Sequence, residues 1–251
     1  LIERKTTVET VRMLFSMTHD VDRLATRTVE FMSLAQFRQD PNLVWLALQN
    51  ICGVNPDDSF RKIVNFEMKN DLTSTWFIQR QLISERNLRI IKEGENEVAI
   101  HPVSVKDLAD KKEIESSWDV ELSGFRIHYH RLCTDALTAG NKLGYEYDSS
   151  LYGGTTPIQL PSGILEIPIT FEDGYLIHLY RTRNAKALIE RSLMEHMEEK
   201  ETVFVFNFHQ NTLARKREWE VFQHVINLAK QYKIPFKTCK EVSTIWGSGK
   251  R

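Results

Sequence analysis

The chain has 251 residues, enough for one sizeable hydrophobic core, and a single domain over residues 1–251 is expected. Its 33 Lys and Arg nearly balance 34 Asp and Glu, a formal charge of -1, which excludes the broad positive field of a nucleic-acid or anionic-membrane binder. Cys52, Cys133 and Cys239 are odd in number, far apart and free of any Cys-x-x-Cys spacing, which argues against a disulfide framework and a thiolate zinc site and for a reducing compartment.

In chain order, Arg12 to Met17 reads as a first strand, with Asp20 and Asp22 opening the loop after it. Thr26–Leu34 and Pro41–Leu48 have helical apolar spacing, and 50–56 form a break. Ser74–Ile78 is β-branched and aromatic, a buried strand. Leu82–Ile91 reads as a helix, Val98–His101 as a strand and Val105–Ser117 as a charged helix. Phe125–His130 is a strand, and Thr134–Leu143 a helix whose C-cap position falls on Gly144. After a loop at 153–157 come a strand at Ile164–Ile169, a helix at Ala185–Glu199, a strand at Val203–Phe208, a helix at Trp219–Tyr232 and a short strand at Pro235–Thr238. Alternating strands and helices imply right-handed crossovers and a parallel sheet, and about seven such units suggest a distorted α/β barrel. No run approaches the roughly 18 apolar residues of a membrane span. Leu1-Ile2-Glu3-Arg4-Lys5 lacks a signal-peptide core, so a cytoplasmic bacterial protein is expected if no upstream segment has been removed.

Chemistry gathers at the strand ends. Asp20 and Asp22 stand two apart in an extended segment and share a face, where one carboxylate can bind metal and the other take a proton; the alternative is an N-cap or solvated turn. His101 closes the run Glu97–Ile100, and His209 closes Val203–Phe208. In Gly124–Arg131, Arg126, His128 and His130 alternate on one face against Ile127 and Tyr129, with His130 read as a solvated residue. Parallel α/β folds collect their functional groups at the carboxyl ends of strands.

These motifs resemble, in order from about residue 13 to about residue 246, those of the polysaccharide deacetylases with the NodB homology fold. Thr18-His19-Asp20-Val21-Asp22 matches the family's Thr-His-Asp-Val-Asp variant. Ile100-His101-Pro102-Val103-Ser104-Val105 keeps the first metal-binding His of the second motif but carries Val105 where the next His is expected. Arg126-Ile127-His128-Tyr129 is similar to Arg-x-Pro-Tyr, with His128 in the place of proline and able to replace the missing ligand. Gly144–Leu151 and Phe206-Asn207-Phe208-His209 are similar to later family segments.

The resemblance implies a NodB-like (β/α) barrel holding one divalent metal, zinc being the expected ion, with Asp22, His101 and His128 as ligands. It also implies Asp20 as general base, Arg126 paired with Asp20, His209 as the acid for the leaving amine, and Tyr129 lining the pocket with an oxyanion-binding amide. His19 alternates away from the carboxylates and is expected to pack beneath the site. The implied substrate is an N-acetylated sugar or polysaccharide precursor, as in O-antigen or capsule synthesis. The competing function is a catalytically silent sugar-binding or assembly module, favoured by Val105. A glycoside hydrolase ranks last, because carboxylates two apart on one strand cannot flank a glycosidic bond. The sequence does not fix the oligomeric state.

Overall fold

In the computed structural model the described residues are 13–21, 57–128, 133–197, 199, 201–214 and 216–248. Strand β1, Met13–Val21, is buried at every position, because parallel neighbours cover both its edges and packed side chains cover both its faces. It runs past the expected end at Met17, so Asp20 is a strand residue rather than the first of a loop. Alternation then divides its side chains. Met13, Phe15 and Met17 join a large outer cluster with the helices, whereas Leu14 packs inward with Phe77, Ala99, Tyr147, Val203 and Val205.

The elements that follow are α1 (Asp57–Met68), β2 (Thr75–Ile78), α2 (Glu85–Glu93), β3 (Glu97–Ile100), α3 (Val105–Ala109), α4 (Lys111–Trp118), β4 (Gly124–Phe125), α5 (Thr134–Lys142) and β5 (Tyr147–Asp148). Then come β6 (Ile158–Gln159), β7 (Leu165–Glu166), β8 (Phe171–Glu172), α6 (Asp173–His196), β9 (Thr202–His209), α7 (Lys216–Tyr232) and α8 (Cys239–Ser248). The sheet order is β6-β7-β5-β4-β3-β2-β1-β9-β8, with every pairing parallel except β6 with β7.

Strands β7 and β8 are two stretches of one extended run, residues 164–172. On one side Ile167 N–H reaches Asp148 O (2.8 Å), and on the other Thr170 N–H reaches Val205 O (2.9 Å). The sheet thereby curls round into the expected distorted parallel barrel, whose staves are β1 to β5, the β7–β8 run and β9. Helix α8 seals the floor: Cys239 and Val242 join the inner cluster, Cys239 N–H donates to Thr75 Oγ1 (2.8 Å), and Lys240 N–H donates to Glu97 (2.9 Å).

Several expectations need correction. The charged helix at 105–117 is two helices that meet at Asp110, the C-cap of α3 and N-cap of α4. The strand at 125–130 keeps ladder pairing only at Gly124–Phe125, because the chain then bends to bring Arg126 and His128 over the barrel mouth. The helix expected from Ala185 begins at Asp173 and ends at His196. Pro235–Thr238 forms a single bridge, Phe15 to Phe236, and α8 follows it. Helix α1 carries a clear buried stripe, Phe60, Ile63, Val64 and Glu67, at the i, i+3, i+4, i+7 spacing of one helix face. The helices expected at Thr26–Leu34 and Pro41–Leu48 lie outside the described residues.

Candidate active site

The carboxyl ends of β1, β3, β4 and β9 meet at the barrel mouth. Asp20 and His209 are register partners on the adjacent parallel strands β1 and β9. Arg126, fully buried, binds the cluster together. Its Nη1 donates to Asp20 Oδ1 (2.7 Å), Asn207 Oδ1 (2.7 Å) and Thr18 Oγ1 (3.0 Å). Its Nη2 donates to Ser149 Oγ (2.9 Å) and its Nε to Ser149 O (2.8 Å), while the guanidinium lies 4.0 Å over the Phe77 ring. Asn207 Nδ2 donates to the second oxygen of Asp20 at 2.9 Å. A carboxylate this deep stays charged only when cations and donors surround it, and Arg126 and Asn207 supply both.

His101 is buried at the end of β3, with Nδ1 2.6 Å from Arg126 O. A carbonyl accepts, so Nδ1 carries the proton and Nε2 offers a lone pair. That lone pair lies 3.1 Å from His128 Nδ1 and 3.9 Å from Asp20 Oδ2. Gln79 Nε2 also approaches His128 Nδ1, at 3.3 Å. Two imidazole nitrogens converging in this way need a proton or a cation between them. Ligands about 2.0–2.1 Å from a tetrahedral zinc stand a little over 3 Å apart, so the pair fits a metal. The backbone carbonyl behind His101 is the usual support of a ligating imidazole.

His209 faces two carboxylates. Nδ1 lies 2.8 Å from Asp173 Oδ1, and Nε2 lies 3.7 Å from Glu172 Oε1. Asp173 Oδ2 accepts the backbone N–H of His209 (2.9 Å) and the hydroxyl of Thr212. Burial alone would raise the Asp173 carboxyl, but the His209 charge and these hydrogen bonds outweigh it and hold its pKa below the ordinary range. Both carboxylates sit at the start of α6, where the helix dipole favours negative charge. Glu172, Asp173 and His209 have donor atoms within 4.8 Å of one another and could hold a cation. The hydrogen bonds to both Asp173 oxygens instead make it the group that orients the ring, with Nε2 on the side of Glu172.

Of the residues singled out in the sequence, Asp20, Arg126, His101, His128 and His209 therefore stand together at the mouth. Asp22, Tyr129 and His130 lie outside the described residues. Val105 is the first residue of α3 and 36 % exposed. His19 packs beneath the site as expected: its Nε2 is 2.7 Å from Glu67 Oε1, and its ring lies 4.5 Å from that of Trp76. Sequence reasoning assigned no role to Asn207, Asp173 or Glu172. The available signals were a polar residue inside the apolar run Val203–Phe208 and adjacent carboxylates directly after a strand.

No protein-family model matches the sequence, and no curated protein matches it. Solved structures do resemble it. Puue allantoinase has a TM-score of 0.73 at 12% identity, covering 96% of this chain and 92% of the other. An inferred polysaccharide deacetylase of Pseudomonas aeruginosa PAO1 has a TM-score of 0.72 at 12% identity, covering 94% and 91%. A CE4 family pseudoenzyme of Bacillus anthracis has a TM-score of 0.58 at 10% identity, covering 93% of this chain and 66% of that one. At such identities the likeness is one of architecture, and this chain has the fold of the polysaccharide deacetylases.

Proposed function

We propose that the protein is a metal-dependent hydrolase that removes N-acetyl groups from a sugar, in the making of a surface polysaccharide such as O-antigen or capsule. The observation that carries the proposal is the pairing of Asp20, clamped by Arg126 and Asn207, with His209, oriented by Asp173, on neighbouring strands of one barrel mouth. A base and an acid are thus held side by side. Asp20 takes a proton from the attacking water, and His209 Nε2 gives one to the nitrogen that leaves. Arg126 keeps Asp20 ionised, and the backbone amide of Tyr129 is proposed to receive the developing oxyanion.

His101 and His128, with Asp22, would hold the metal. A divalent ion there, zinc being the leading candidate, supplies carbonyl polarisation and a lowered pKa for water. The test combines metal analysis with acetate release from N-acetylhexosamine oligomers and nucleotide-linked N-acetyl sugars. Asp20→Asn is expected to keep metal and lose about 10²–10⁴-fold in rate, as is His209→Ala. Asp22→Asn and His101→Ala are expected to lose metal and activity together. Full activity of Asp20→Asn overturns the mechanism. Wild-type metal stoichiometry in both Asp22→Asn and His101→Ala overturns the ligand set.

Val105 favours a second possibility, a silent module that binds sugar without cleaving it. Such a module would bind no metal and release no acetate from any of these substrates.

A further inference from the structure

We infer that Ser150, with Asp148 and Glu166 behind it, is a positioning residue of this site: it ends the pairing of β4 with β5 early and so sets Arg126 and His128 in place. The inference rests on the metal-dependent hydrolase proposed above and adds residues that act there through others.

Backbone bonds in a parallel ladder are evenly spaced, each strand residue of one edge bonding in turn. Ser149 N–H donates to Phe125 O (3.0 Å), so the next rung would join Ile127 N–H to Ser149 O and Leu151 N–H to Ile127 O. Side chains take both N–H groups instead. Ile127 N–H donates to Ser150 Oγ (2.8 Å), and Leu151 N–H donates to Glu166 Oε1 (2.9 Å). The Ser150 hydroxyl cannot turn away, because its own proton goes to Asp148 Oδ1 (2.6 Å) and a lone pair is left for Ile127.

The Ser149 carbonyl, released from the ladder, accepts Arg126 Nε at 2.8 Å, and the Ser149 hydroxyl accepts Nη2 at 2.9 Å. On the other edge the pairing continues: Arg126 N–H reaches Ile100 O and His128 N–H reaches Pro102 O, both at 3.0 Å. The chain therefore stays with β3 as it parts from β5, and His128 Nδ1 comes to lie 3.1 Å from His101 Nε2. Asp148, Ser149, Ser150 and Glu166 are all fully buried. Carboxyls inside a sheet are costly, and a continued ladder would satisfy the same N–H groups without them. Apolar residues in their place would let the ladder run on. Arg126 would then lose the Ser149 carbonyl, and His128 would be drawn toward β5.

The experiment compares wild type with Ser150→Ala, Ser150→Thr and Ser150→Cys. Nitrogen NMR of the metal-free proteins reads the His101 and His128 rings, and competition with a chromophoric chelator reads the zinc dissociation constant. Ser150→Ala is expected to shift both ring signals, to leave that of His19 in place and to weaken zinc binding about tenfold, with the circular dichroism of wild type. Ser150→Thr keeps an Oγ and is expected to restore both readings. Ser150→Cys, close in size but a poor acceptor, is expected to match the alanine variant and replaces it if that one does not fold. Unmoved ring signals in a folded variant without the hydroxyl overturn the assignment, as does Ser150→Thr behaving no better than Ser150→Ala. An unchanged affinity, where wild type binds zinc, does the same. A wild type that binds no zinc overturns the hydrolase alone, because the ring signals are read without metal.

Discussion

Arg126 has five N–H donors in a rigid fork, and every acceptor it reaches is buried or backbone. Arg126→Lys keeps the charge but cannot satisfy acceptors on β1, β9 and the turn after β5 at once. It is expected to lose about 2–4 kcal/mol, read by urea unfolding, because buried acceptors are left without donors. Asp173→Asn tests the imidazole's orientation instead. An amide can present its N–H to Nδ1, reversing the tautomer, and kcat is expected to fall by about 10²–10⁴ with the structure intact by circular dichroism. At this scale legibility followed side-chain chemistry. Asp20, His101 and His209 were visible because several strand ends offering Asp or His together are harder to ascribe to structure than any one of them alone. Asn207 and Asp173 were not, since their function is to hold other side chains, and the partners come from across the fold. The His128 placement depends on the bend after Phe125, which no local pattern encodes.

Strand pairing and packing set the limits at the level of elements. Gly124 lies directly under the Tyr147 ring, and a Cβ there would stand 2.1 Å from Tyr147 Cζ. Tyr147 is fully buried and its hydroxyl donates to Glu97 (2.7 Å), so the ring cannot swing away. Gly124→Ala is therefore expected to destabilise by at least about 1–3 kcal/mol, measured as a lowered unfolding midpoint. Helix α2 offers a milder control: Ser84 Oγ accepts the N–H of Asn87 at 3.2 Å, and Ser84→Ala is expected to cost about 1 kcal/mol. Long buried strands such as β1 and β9 were legible because apolar runs permit little else. Two-residue strands such as β5 and β8 were not, since their pairing is decided by neighbours rather than by propensity. The first half of α6 was hidden because Asp173-Gly174-Tyr175 opens it without an apolar stripe. The helix stop near Gly144 was legible, although the C-cap itself is Leu143; Gly144 follows it with a φ of +75°, which a glycine readily adopts.

Over the whole molecule, pH dependence has a specific source. Asp148 and Glu166 are paired carboxyls on β5 and β7. Burial pushes both above the ordinary carboxylate range, Glu166 the more, because the negative charge of Asp148 adds to it. A raised folded-state pKa gives stability that is complete below the ordinary carboxylate range and is lost as pH climbs toward the folded value. The wild type should thus lose stability progressively as pH rises above the ordinary carboxylate range. Glu166→Gln, which keeps a donor toward Asp148 without a titrating proton, should flatten that slope in thermal melts across this range; an unchanged slope would place the pH dependence elsewhere. The closure of the barrel by the single run 164–172 also has a kinetic side. β1 finds β9 only across nearly the full length of the chain, and Asn207, which donates to Asp20 and accepts from Thr18 and Arg126, joins the cluster only then. Such distant contacts make for slow folding. A chain emerging from the ribosome presents Asp20 and Arg126 well before Asn207 and His209, so the proposed reactive centre is completed only with the last stave.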